Sequence, residues 1–92
     1  MNLYKIVFKN IHEIVNELDP VNLIGGGAPG DEYYDEVIKI VSLLKEDNEK
    51  VIFTEKLTGI FIESFGCNTE FKNDIFLLLS DRVLELKERL KW

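Results

Sequence analysis

The chain holds a single cysteine, Cys67, which cannot form an internal disulfide, so nothing in it points to an oxidising compartment. It holds a single histidine, His12, and a zinc helix of the His-Glu-x-x-His kind is excluded because Asn16 stands where the second histidine is required. Long apolar runs are absent too. No stretch approaches the roughly 18 apolar residues that cross a bilayer. Residues 1–18 lack the unbroken apolar core and small-residue cleavage site of a signal peptide, being interrupted by Lys5, Lys9, Asn10, His12 and Glu13. A cytoplasmic location is therefore expected. Basic residues are also in deficit: 11 against 17 acidic ones give a net charge of −6. That balance repels a phosphate backbone and an anionic membrane surface, and complements a basic protein partner.

What is present suits one ordinary globular domain over residues 1–92, 46% hydrophobic and 30% charged. Apolar residues recur at helical spacing in four segments. The first helix is expected over Leu3–Leu18, with Leu3, Val7, Ile11, Ile14 and Leu18 on one stripe widened by Tyr4, Phe8 and Val15. Asp19-Pro20 ends it, because proline pushes its predecessor out of the helical region. Residues 20–30 form a long connection with Gly25, Gly26, Gly27, Pro29 and Gly30, in which Val21, Leu23 and Ile24 are apolar anchors. The second helix is expected over residues 32–45, capped by Asp31, burying Tyr33, Val37, Ile40, Val41 and Leu44, with Asp35 and Lys39 paired one turn apart. A third carries Val51, Ile52, Leu57, Ile60, Phe61 and Phe65 inward and stops at Gly66; Val51-Ile52-Phe53 also fits a short strand, with Thr54 as a later cap. Asn68 or Thr69 caps the last, whose stripe is Phe71, Ile75, Leu78, Leu79, Val83, Leu86 and Leu90, with Glu85 and Arg89 paired outside. The expectation is an all-α compact bundle of about four helices with the glycine-rich loop between the first two.

The glycines do not make a phosphate cradle. Such a loop leads into its helix with lysine and a hydroxyl residue, whereas Asp31 and Glu32 stand here and would compete with an anion. Asp31, Glu32, Asp35 and Glu36 are the densest polar cluster, but they match neither a calcium loop nor the Glu-x-x-His of di-metal bundles. An acidic first turn favoured by the helix dipole accounts for them without a metal. Cys67 and His12 are the one nucleophile–base combination available, and Cys67 is better read as a small buried hydrophobe. No cofactor is implied. Two adjacent tyrosines cannot both face the core, which leaves Tyr34 partly exposed as an aromatic anchor for a protein contact.

Asp19-Pro20, a glycine-bearing spacer, then Ala28-Pro29-Gly30-Asp31-Glu32-Tyr33 and Glu36 resemble the signature of a bacterial domain-of-unknown-function family of small, acidic, helical proteins. An aromatic at Phe61 and Phe65-Gly66 are similar as well, so the likeness spans about the first two-thirds of the chain. Three consecutive glycines and the second tyrosine, Tyr34, depart from it. Relatives of this sort occur among immunity proteins of polymorphic-toxin and contact-dependent inhibition systems. The resemblance thus implies an immunity protein that binds and neutralises a basic toxin domain stoichiometrically, without catalysis. The residues read as partner-binding are Asp31, Glu32, Tyr34, Asp35 and Glu36. The alternative is a cytoplasmic regulatory or structural interaction protein, homo-oligomeric through exposed apolar residues. A metal-dependent enzyme is the third reading.

Overall fold

The structure, a computed structural model, describes residues 2–22, 25–27, 30, 32–66, 71 and 74–92. The described residues form four helices: α1 (Leu3–Leu18), α2 (Tyr34–Leu44), α3 (Lys50–Phe65) and α4 (Ile75–Leu90). Among the described residues there is no strand. α1 packs against α2 and α4, and α3 closes the ring against the same two. The bundle is therefore a square with α1 and α3 on one diagonal.

α1 has the expected bounds. Asn2 caps it, its side chain accepting from the Tyr4 amide at 2.9 Å, and Val7, Ile11, Ile14 and Val15 are buried. It stops at Asp19, whose left-handed backbone (φ 48°) turns the chain into Pro20 while its own amide still reaches Val15 O. Aspartate tolerates that conformation better than most residues.

The start of α2 differs from the expected one. Tyr33, not Asp31, occupies the cap position, and no side chain caps the helix there. Asp31 lies outside the described residues, as do Leu23 and Ile24 in the loop, Cys67, and the expected caps Asn68 and Thr69. What sets the start is Tyr33 itself. Its fully buried ring packs against Phe61 and Phe65. Its hydroxyl donates to Asp19 Oδ1 at 2.6 Å and accepts from the Val21 amide at 3.1 Å. Asp19 Oδ2 in turn accepts from the Gly25 amide at 2.8 Å. A Cβ at Gly25 would stand 2.5 Å from Asn22 Oδ1 and 3.4 Å from Asp19 Oδ2, so a side chain there would push the Asn22 side chain aside. Tyr33 thus joins the end of α1, the entry of the loop and the start of α2.

α3 is helical from Lys50, so the strand at residues 51–53 does not form, and Thr54 bonds back to Lys50 O instead of capping. Its rotation also differs. Phe53, Leu57 and Phe61 are buried, while Val51 (68% exposed) and Ile52, expected inward, face out. At about 100° per residue a helix cannot bury Phe53 and both residues before it, and the larger aromatic surface decides the phase. Gly66 (φ 91°) ends the helix as expected. α4 begins at Ile75, beyond the expected cap, and buries Ile75, Leu79, Val83 and Leu86 while Leu78 turns outward. The Glu85–Arg89 pair is not formed; among the described residues the ion pairs are Lys50–Asp81, Lys56–Glu46 and Arg82–Glu17.

Replacing Tyr33 with Phe keeps the ring but removes the hydroxyl that bonds the Val21 amide and Asp19 Oδ1. It should lower unfolding stability by about 1–3 kcal/mol, read as a lower urea midpoint with an unchanged slope. An unaltered midpoint would show that the phenol is not what ties the loop down.

Candidate partner-binding surface

The acidic run at the start of α2 divides between core and surface. Glu32 and Asp35 are exposed, and Asp35 makes no ion pair with Lys39. Glu36 is not part of that exposed face: it is only 5% exposed, on the side of α2 that carries Val37 and Ile40 into the core. Its Oε1 is buried without a hydrogen-bond partner. Desolvation raises the Glu36 pKa above its ordinary value; a hydrogen bond with Ser64 opposes that in part, and the neighbouring Asp35 charge adds to the rise.

Tyr34, the next residue after the buried Tyr33, is 50% exposed. Its ring leans on Phe8, centroids 5.1 Å apart, and meets His12 edge-on at 6.5 Å. Phe8 continues to Tyr4 at 6.3 Å, and Tyr4 to Trp92 at 6.2 Å. The indole of Trp92 is held from two sides: its Nε1 donates to Val41 O at 3.3 Å, and the Lys45 ammonium lies 3.9 Å over the ring. The result is a ledge of aromatic rings along the seam of α1 and α2, with Leu3 and Tyr4 also exposed. A shallow groove of about 290 Å³ between Asn2, Tyr4, Lys5, Phe8 and Tyr34 opens on it. His12 Nε2 is buried with no hydrogen-bond partner.

Of the residues singled out from the sequence, the structure thus brings Tyr34 and the exposed Glu32 and Asp35 to one end of the ledge, and takes Glu36 away. Tyr4, Phe8, His12 and Trp92 are not among the residues that the sequence marks as partner-binding. Their spacing on α1, four residues apart from Tyr4 to His12, was legible, but it reads equally as the edge of the core stripe. Among the described residues, no three His, Cys, Asp or Glu side chains converge as metal ligands, and no helix is long and apolar enough to cross a membrane.

No family model, no curated protein and no solved structure matches the chain.

Glu36 supplies a pH test of this placement. A carboxylate whose pKa is raised on folding gives stability that is complete below the unfolded pKa and lost as pH rises through the higher folded one. At neutral pH the buried charge therefore works against the fold. Glu36→Gln should raise the thermal midpoint at pH 7, and its advantage should shrink on acidification through the carboxylate range. A variant less stable than wild type at pH 7 would mean that the ionised carboxylate is well solvated or paired.

Proposed function

We propose that the chain is a protein-binding domain that docks a basic partner on the Tyr34 end of the aromatic ledge. We further propose that the partner is a toxin domain, which the chain neutralises stoichiometrically as an immunity protein. The observation that carries the reading is Tyr34: a large ring half open to solvent, seated on other aromatics and flanked by the exposed carboxylates of Glu32 and Asp35. Rigid aromatic anchors dominate the energy of many protein interfaces, and surrounding charge governs how fast partners meet. The net charge of −6 acts in the same direction at longer range. The toxin assignment draws on the family resemblance of residues 19–36.

A regulatory or structural interaction protein is the second reading. It is favoured by apolar side chains away from the ledge, Val51 on α3 and Leu77 and Leu78 on α4, all of which stand well out of the core.

The test is binding kinetics against a toxin domain encoded beside this chain, at two salt concentrations. Asp35→Lys should slow association and flatten its salt dependence while leaving the fold intact. Tyr34→Ala should instead speed dissociation, by an interface hot-spot amount of about 2 kcal/mol. Wild-type rates in both variants would place the contact elsewhere, and no binding at all would sink the toxin assignment.

A further inference from the structure

The aromatic ledge is electrically lopsided along its length. At one end, beside Tyr34, stand the exposed carboxylates of Glu32 and Asp35. At the other, around Tyr4 and Trp92, stand two cations: Lys5, next to Tyr4 on α1, and Lys45, which lies over the indole. Neither lysine has an ion partner among the described residues. Along the ledge between these charges, Tyr4 and Tyr34 are both open to solvent. A strip that is acidic at one end, basic at the other and apolar between is complementary to its own reverse.

We infer that the ledge pairs with a second copy of the chain in an isologous dimer, the two ledges running in opposite directions. A two-fold axis across the strip then sets Glu32 and Asp35 of each copy against Lys5 and Lys45 of the other, so each favourable contact occurs twice. The exposed rings of Tyr4 and Tyr34 supply the apolar centre, at which aromatic contact is strongest. The inference rests on the ledge being a binding face, as proposed above, and it gives that face a regulator. A copy held in the dimer has its Tyr34 covered, so a protein partner competes with self-association.

The experiment is sedimentation velocity on the chain alone over a dilution series, so a missing or wrongly chosen toxin has no bearing on it. The expected result is a monomer–dimer equilibrium that shifts toward monomer as salt rises. Lys5→Glu and Asp35→Lys should each weaken it, by roughly tenfold, because two contacts turn repulsive together. The double variant carrying both changes should recover pairing where position 5 of one copy faces position 35 of the other, since those two charges are exchanged and again opposite. Val51→Glu, on the helix diagonal to α1, should leave the equilibrium unchanged. Circular dichroism of each variant separates lost pairing from lost folding. A single species of monomer mass at every concentration, a double variant as weak as the single ones, or a dimer broken by Val51→Glu would each overturn the inference.

Discussion

One buried phenol decides how the two halves of the helical ring meet. The Tyr33 hydroxyl sits where α1 has ended, the glycine-rich loop begins and α2 has not yet started, and it serves a carboxylate and an amide at once. Burying Asp19 is costly unless its oxygens are satisfied, and here Tyr33 and the Gly25 amide provide for both. The ring beneath that hydroxyl is held by Phe61 and Phe65 of α3, so a polar junction on one side of the bundle is clamped from the other. Remove the junction and the position of Tyr34, one residue on, is no longer fixed. The exposed ledge therefore depends on the buried tyrosine next to it.

Much of the fold was legible in the residues, for particular reasons. α1 has a clean apolar stripe and a proline stop, and its bounds follow directly. α2 announced its buried face through Val37, Ile40, Val41 and Leu44, but not its first residue. The acidic residues ahead of it resemble caps and first-turn charges, whereas the start answers to where the Tyr33 side chain must go. α3 was legible as a helix and illegible in rotation, because Val51, Ile52, Phe53 and Ile62 spread apolar surface around more than one face. Only packing against α2 and α4 selects Phe53, Leu57 and Phe61.

The candidate surface divides in the same way. That one of two adjacent tyrosines must be exposed is a local argument, and it holds for Tyr34. That Glu36 leaves the acidic group follows from the face of α2 it occupies, one turn after Tyr33 and one turn before Ile40, both buried. The ledge joins Tyr4 and Phe8 of α1, Tyr34 of α2 and Trp92 beyond α4, so no single window of sequence contains it. Local chemistry identified the exposed ring, and tertiary packing gave it company.

The Asp19 carboxylate also couples events in time. Its two oxygens hold the Gly25 amide and the Tyr33 hydroxyl, and that hydroxyl holds the Val21 amide. A fluctuation that frees one of these donors strips partners from the rest, so the loop entry and the first turn of α2 open as one cooperative unit. The amides of Val21 and Gly25, four residues apart, then share one opening event in hydrogen exchange. Their protection would report on a tyrosine that carries neither of them.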